Sequence, residues 1–376
     1  MKAKFYSEQE TIVSNCNALL PIEERQVRVL EYLNLPAIDV STLPAKLSKR
    51  LWVSPAEFIA VTSVWQLAQW ALGVCGCWQM RLSSSSRRGP KSVYQDETIL
   101  VLALVQVAWQ MGYDEVVDYF RAHPQTAALA GFPTGRVICA SQFWERRRAL
   151  GALPFWFLFI ALVAQLIRLG IIKGTDVIMD GTTLAAWYHD DPEADWSFPK
   201  PWKGSTWGYK VHTLLCRWSQ LPIVFLVTPA NRQESVLAIA LLKLAVSFFG
   251  LSISIVRADA GYFTTPILAF IHLVLGASAM IDYNLRRKGK RFLATLFFLN
   301  QWRFHSAPRT IIERHFAWAK RYFGLETARW SGLAAAYQHT ALVYATMLAV
   351  ALIAHRYDRP ELAGSRYRVL ALKSLA

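Results

Sequence analysis

The feature that most constrains the fold is a change of hydrophobic period at Thr175. Before this residue apolar side chains recur at helical spacing, and after it short apolar runs predict strands separated by helices. The predicted strands are 176–180, 208–216, 221–228, 253–259 and 277–282, and the predicted helices are 234–249, 265–275 and 309–320. Three strands followed by helix, strand, helix, strand and helix predict an α/β domain built on a five-stranded sheet.

Three acidic residues lie at distinctive places in this pattern. Asp180 and Asp259 each close an apolar strand and are followed by a turn that contains glycine. Glu313 lies on the predicted helix RTIIERHFAWAK, one turn from Arg309 and two turns from Lys320. Carboxylates that converge from strand ends and a helix suit a pair of divalent cations, although spaced ion pairs of this kind also occur on ordinary surface helices.

Five separated motifs resemble those of the DDE transposases of bacterial insertion sequences. The resemblance rests on MDGTT around Asp180, GYKVH at 208–212, TPAN at 228–231, ADAGY around Asp259 and the R-x3-E-x6-K spacing that ends at Lys320. It covers roughly residues 85 to 355. The chain departs from the pattern at Gln233-Glu234-Ser235, where relatives often carry His-Asp-Ser. It also has Ser306 where one subgroup has tyrosine, so the sequence leaves open whether cleavage forms a hairpin.

The resemblance implies a ribonuclease-H-like fold, with a mixed five-stranded sheet flanked by helices and an all-helical region before it. It implies that Asp180, Asp259 and Glu313 hold two Mg²⁺ ions, for which Mn²⁺ is a possible substitute. Arg309 and Lys320 would then hold phosphates beside the metals. The implied function is binding of the ends of a mobile DNA element, followed by metal-dependent strand cleavage and strand transfer.

Composition and turn signals divide the chain into five predicted parts. The ranges are a helical N-terminal region at 1–82, a basic linker at 83–94, a helical domain of the DNA-binding type at 95–172, the catalytic domain at 173–356 and a tail at 357–376. Residues 1–80 contain no recognisable chemistry. They are equally consistent with a scaffold and with a DNA-binding or dimerisation segment.

A net charge of +15 and a pI near 9.7 favour a polyanionic partner. Candidate DNA contacts are three consecutive arginines on a predicted helix, two residues of the second strand and a basic run after the fifth strand. These residues are Arg146, Arg147, Arg148, Lys210, His212, Arg286, Arg287, Lys288, Lys290 and Arg291. The resemblance implies that the partners are double-stranded DNA, namely the element's terminal inverted repeats and its target, and a second copy of the chain in the DNA complex.

Two alternatives remain at the level of the sequence. The apolar stretches 152–167 and 339–354 are also compatible with a basic membrane-associated protein, although both carry or adjoin polar residues and suit buried helices better. A relic that binds DNA without cutting it is the other alternative. Five cysteines without a Cys-x-x-Cys pair and the lack of a signal-peptide pattern predict a cytoplasmic protein with no stable membrane association. The resemblance implies that it is bacterial and acts at the nucleoid.

Overall fold

The structure, a computed structural model, describes residues 50–79, 93–133, 136–198, 204–281, 307–326 and 330–371. These residues form two compact units, which are described separately. The first unit comprises residues 166–317 and 329–336, and the second comprises residues 32–165, 318–328 and 337–376, each within the described ranges. The boundaries of the five predicted parts remain a prediction. The two compact units do not follow them, because residues 337–371 belong to the same unit as the helices that precede the sheet.

The second unit is helical. Its helices before the sheet are α1 (Pro55–Thr62), α2 (Val64–Gln79), α3 (Asp96–Trp109), α4 (Tyr113–Ala122), α5 (Pro124–Leu129), α6 (Ala140–Leu150) and most of α7 (Leu153–Arg168). Ser54 begins α1 with a capping box, in which Ser54 Oγ accepts the N–H of Glu57 and the Glu57 carboxylate accepts the N–H of Ser54. The helical character expected before Thr175 is therefore found in the described residues.

The first unit contains a mixed sheet, which has six strands in the described part of the chain rather than the expected five. The strands are β1 (Asp176–Ala185), β2 (Asp195–Trp196), β3 (Trp207–Cys216), β4 (Pro222–Pro229), β5 (Ile255–Ala258) and β6 (Ser278–Ile281). The additional strand is the two-residue β2, which lies in a segment that the sequence predicted to be a loop. Strand β3 pairs antiparallel with β1, β2 and β4, whereas β1, β5 and β6 run parallel.

Helices join and cover this sheet. They are α8 (Glu234–Phe249), α9 (Thr265–Ala269), which continues as a π-helical segment Phe270–Val274, and α10 (Ile311–Phe323). The order of strands and helices is the one predicted, and a mixed sheet flanked by helices with a helical region before it is a ribonuclease-H-like α/β fold. The last helices are α11 (Leu333–Arg356) and α12 (Arg366–Val369).

Strand β1 is longer than the sequence predicts. Gly181 was expected to begin a turn, yet pairing with β3 continues from Val177–Cys216 to Ala185–Gly208. The parallel pairing with β5 ends earlier, at Ile178 and Arg257. Asp180 therefore lies within β1 but beyond the end of its parallel neighbour, and the turn-like residues Gly181-Thr182-Thr183 remain in the strand because β3 supplies their hydrogen bonds.

Helix α11 is long and apolar enough to cross a membrane by length and composition, and its apolar window is entirely buried inside the protein. Within the helical unit, the rings of Tyr344 and Phe159 are 6.2 Å apart, so α11 packs on α7 there. Three bent helix pairs pass the same length test only if each is counted as one span. The apolar stretches 152–167 and 339–354, which were also compatible with a membrane protein, thus lie in helices that pack inside the protein. This agrees with the interpretation that they are buried helices.

Candidate active site

Asp180 and Asp259 lie at the carboxyl end of the parallel strands β1 and β5. Asp180 follows the last β1–β5 pair by two residues, and Asp259 directly follows β5. Asp259 then caps a 3-10 turn at Ala260–Tyr262, where its Oδ1 accepts the N–H of Gly261. Side chains alternate along strands, so Asp180 lies on the face of Ile178, and Asp259 on the face of Arg257, which pairs with Ile178. Both acids therefore belong to one face of the sheet and one end of it.

Helix α10 covers that same face. Its residues Ile312 and Phe316 pack with Ile178 and Leu215 in a buried cluster. Glu313 directly follows Ile312 and is exposed, in the first turn of the helix. Arg309 lies in the 3-10 turn that leads into α10, Ala307–Thr310. The amphipathic pattern of the helix thus brings its acidic first turn to the sheet face that carries Asp180.

The electrostatics of Asp180 identify its charged neighbours. The pKa of the Asp180 carboxyl is raised to about 7, mainly by burial and also by the negative charges of Glu234 and Asp259. The N–H of Gly181, which donates to Asp180 Oδ1 at 2.8 Å, and the cation of Arg309 lower the same pKa. Asp259, Arg309 and Glu234 therefore lie close enough to Asp180 for their charges to act on it.

Glu234 is a site residue that was not predicted. A Cβ atom added at Gly181 would lie 2.9 Å from Glu234 Cγ and 3.0 Å from its Oε1, so this side chain packs on the backbone next to Asp180. Lys210 Nζ lies 3.4 Å from Glu234 Oε1 and also donates to the carbonyl of Arg232. The signal in the sequence was the acid of Gln233-Glu234-Ser235 in the first turn of the helix after β4, which appeared only as a departure from the family pattern.

The donor chemistry of this cluster fits a divalent cation. Carboxylate oxygens are the ligands that Mg²⁺ prefers, and like-charged carboxylates held near each other are stabilised by a cation between them. In the described residues no three His, Cys, Asp or Glu side chains form a group at metal-binding distance. The residues thus fit the metal by charge and chemical type only, and a bound ion would have to draw them closer together.

Lys210, His212 and Lys320 were expected to contact DNA or phosphate, and in the structure each is bonded to another residue of the protein. Lys210 is buried and bound to Glu234, and His212 is completely buried, with its Nε2 hydrogen-bonded to Thr228 Oγ1. Burial, with a smaller contribution from the charge of Lys210, lowers the pKa of His212 to about 3. Lys320 is bonded to Glu326. Because Lys210 and His212 face the protein interior, neither is retained as a DNA contact.

The three consecutive arginines on α6 divide into three environments. Arg146 is ion-paired with Asp96, and Arg147 is buried, donating to Gln106 Oε1 at 2.7 Å and to Gln338 Oε1 at 2.9 Å. Arg148 is exposed and lies over the ring of Trp144, itself 46% exposed. The prediction of a DNA contact at Arg147 is therefore corrected, since its guanidinium is enclosed by helices, and Arg148 is the member of the cluster best placed to contact a ligand.

Several predicted residues lie outside the described residues. They are Arg286, Arg287, Lys288, Lys290 and Arg291 of the basic run, Ser306, most of the predicted linker and residues 1–49.

Comparison with known protein families provides an independent result. The model of the family described as "Transposase DDE domain" matches residues 172–349, which span the sheet, α8, α10 and most of α11. No curated protein matches the chain. The matched range contains all three predicted acids and Arg309, and it begins just before the strand that carries Asp180. The mixed sheet, the acids at the carboxyl end of β1 and β5 and the family match together identify residues 172–349 as a transposase DDE domain.

Proposed function

We propose that this transposase binds the ends of a mobile DNA element, cuts a DNA strand there and joins the new end to target DNA. The observation that carries the proposal is the cluster of Asp180, Asp259 and Arg309 at one end of the sheet, on the face covered by the helix of Glu313. The family match over residues 172–349 supports the same reaction class. The membrane alternative is not favoured, because the family is one that acts on DNA.

Each proposed chemical step is a displacement at phosphorus. In cleavage, a water oxygen bonds to the phosphorus, the bond from phosphorus to the 3′ oxygen breaks, and that oxygen takes up a proton to become a 3′ hydroxyl. In strand transfer, this hydroxyl attacks a target phosphodiester, loses its proton, and displaces the target's own 3′ oxygen. Divalent cations, when bound, would activate the attacking oxygen and stabilise the leaving oxygen.

The residues of the chain have separate proposed roles in this reaction. Asp180, Asp259 and Glu313 would hold the cations, for which Mg²⁺ is the expected ion and Mn²⁺ a substitute. Arg309 would bind a non-bridging phosphate oxygen, since its cation already acts on Asp180 and a guanidinium can grip a phosphate at two points. Lys320 would hold a second phosphate after exchanging Glu326 for DNA.

DNA binding outside the reacting phosphate is proposed for further basic residues. Arg148, Arg146 and the run Arg286, Arg287, Lys288, Lys290 and Arg291 would contact phosphates and make binding depend steeply on salt. Two element ends have to be brought together for transposition, so we expect a homodimer in the DNA complex. The expected location is the bacterial cytoplasm, at the nucleoid.

The decisive experiment is a cleavage assay on duplex DNA that carries the element's terminal repeats. We expect nicked or cut product in Mg²⁺ or Mn²⁺, and no product when EDTA removes the ion. Binding without cutting in either ion would identify a relic. Recovery of the protein only in detergent, with no effect on DNA, would contradict the proposal altogether.

Arg309→Ala is expected to lower cleavage kcat/KM about ten- to a hundredfold, because hydrogen bonds to charged groups contribute about 1.5–3 kcal/mol and each 1.36 kcal/mol is tenfold in rate. Arg309→Lys keeps the charge but loses the two-point grip, so it should fall between the parent and the alanine variant. The matched control is Arg121→Ala, whose arginine forms an exposed pair with Asp118 in the helical unit. Equal loss in the Arg309 and Arg121 variants would contradict a specific role for Arg309.

A further inference from the structure

Asp180 and Gly181 point to opposite faces of the sheet. Side chains alternate along a strand, so the Asp180 carboxylate lies on the face covered by α10, and a side chain at position 181 would lie on the other face. Gly181 pairs with His212 of β3, whose completely buried side chain belongs to this second face. The second face is therefore the back of the strand segment that carries the candidate catalytic acid.

Glu234, the first residue of α8, lies against Gly181 on the second face. A Cβ atom added at Gly181 would lie 2.9 Å from Glu234 Cγ, 3.0 Å from its Oε1 and 3.1 Å from its Cδ, which are the three atoms nearest to it. The backbone of Gly181 does not have the positive φ that favours glycine. A larger residue is therefore disfavoured here because the Glu234 side chain approaches the strand closely, and not because of the backbone conformation.

Lys210 limits how far the Glu234 side chain can move. The lysine side chain is 9% exposed, and its Nζ lies 3.4 Å from Glu234 Oε1. The same Nζ donates to the carbonyl of Arg232 at 3.1 Å, two residues before α8 begins. The ammonium group thus ties the start of α8 to β3 and holds the Glu234 carboxylate beside Gly181.

The backbone of Gly181 connects this arrangement with the front of the strand. Its N–H donates to Asp180 Oδ1 at 2.8 Å. A shift of Gly181 toward or away from α8 would therefore move a hydrogen bond of the Asp180 carboxylate. Contacts thus run without a gap from Lys210 to Glu234, from there to Gly181, and from its N–H to Asp180.

We propose that Glu234 is a positioning residue, which fixes the backbone of Gly181 and, through the N–H of Gly181, the carboxylate of Asp180. In this role Glu234 acts from the face opposite Asp180 and touches neither the reacting phosphate nor a cation. The inference rests on the proposed function, because it assumes that Asp180 takes part in strand cleavage. Misplacing a reacting group by about 1 Å can lower a rate about a hundredfold, so such support has a measurable effect.

The test is a double-mutant cycle between Gly181→Ala and Glu234→Ala, made in the full chain and measured by cleavage of terminal-repeat DNA. The measured quantities are the single-turnover rate at saturating protein and the protein concentration that gives half this rate. Gly181→Ala should lower the saturating rate about ten- to a hundredfold and leave the half-saturating concentration unchanged, because its methyl group displaces the strand from Glu234. The double variant should cut faster than Gly181→Ala, since the methyl group then occupies the space left by Glu234.

Two further variants separate positioning from other effects. Glu234→Gln keeps the length of the side chain and an oxygen that can accept a hydrogen bond from Lys210, so it should cut faster than Glu234→Ala. Gly73→Ala is the matched control, because it adds the same methyl group to a glycine of α2 where no described side chain lies within 4 Å of it. This control should cut like the parent.

Three results would overturn the positioning role while the parent still cuts and the proposed function stands. They are full activity of Gly181→Ala, a loss in the double variant equal to the product of the two single losses, and a loss in Glu234→Gln as large as in Asp180→Asn. If Gly181→Ala does not fold, the double variant is compared with Glu234→Ala, and slower cleavage by the double variant contradicts the proposal. If the parent does not cut in Mg²⁺ or Mn²⁺, the proposed function is wrong, and the positioning role is wrong with it.

Discussion

Asparagine at position 180 is expected to reduce strand cleavage at least about a thousandfold, because a bound metal supplies several kcal/mol of transition-state stabilisation and each 1.36 kcal/mol is tenfold in rate. The change replaces a carboxylate by an isosteric amide that carries no charge. It therefore removes the carboxylate whose pKa is shifted by the charges of Glu234, Asp259 and Arg309. The measurement is the single-turnover rate of cleavage on duplex DNA with terminal repeats, in saturating Mg²⁺.

Loss of cleavage has to be separated from loss of folding or of DNA binding. Asp180 is coupled to two other carboxylates, so Asp180→Asn relieves repulsion and should leave the unfolding temperature unchanged or slightly raised. Binding of DNA at low salt should be unchanged or stronger, since a negative charge is removed from the surface that meets phosphate. Asp118→Asn, which removes an exposed acid of α4, should cut like the parent.

Glu313→Gln and Asp259→Asn should produce losses of the same order. Residues that act as one unit are not additive, so the double variant should be little worse than either single variant. A Glu313→Gln protein that cuts like the parent would show that the exposed first turn of α10 does not take part. The catalytic acid of that helix would then have to be sought elsewhere.

The sequence could predict the predominant order of strands and helices, because hydrophobic period, glycine turns and strand-ending acids are local signals. It could also predict that Asp180 and Asp259 lie at the same end of the sheet, since carboxyl ends of parallel strands lie at one edge of a sheet. It placed the end of β1 too early, because Gly181-Thr182-Thr183 has the composition of a turn. Only pairing with β3, more than twenty residues away, keeps these residues extended.

Local sequence patterns could not predict which charged side chains point into the protein. Three consecutive arginines on a helix must point in three directions, but nothing nearby in the sequence says which one points inward. Arg147 is the buried one because Gln338, 191 residues later, supplies an acceptor on α11. Lys210 was likewise expected to contact DNA, and it is buried and paired with Glu234 of α8. Such partners are determined by tertiary packing and not by the hydrophobic period of the sequence.

A buried ion-pair network connects the first residue of β1, Asp176, with β5. Asp176 accepts two hydrogen bonds from Arg257, at 2.8 and 2.9 Å, and a third from Arg217 at 2.8 Å. Asp176 and Arg257 are each about 5% exposed or less. Arg257 belongs to β5, so this pair connects the two strands that carry Asp180 and Asp259, four residues and two residues further along.

Asp176→Asn is therefore expected to lower the free energy of unfolding by about 3 kcal/mol or more, because removing one partner of a buried pair leaves an uncompensated buried charge. Arg257→Met should cost less, since Asp176 keeps Arg217 as a partner. Asp118→Asn, whose pair with Arg121 is exposed on both sides, should cost under about 1 kcal/mol. The order of the three variants in urea or thermal unfolding is the measurement, and equal effects would mean that the network contributes nothing specific. If the pair sets the spacing of β1 and β5, Asp176→Asn should also lower cleavage at temperatures where the protein is still folded, although Asp176 is buried and paired with Arg257. Full activity in a clearly destabilised variant would show that the two strands hold their acids in place without it.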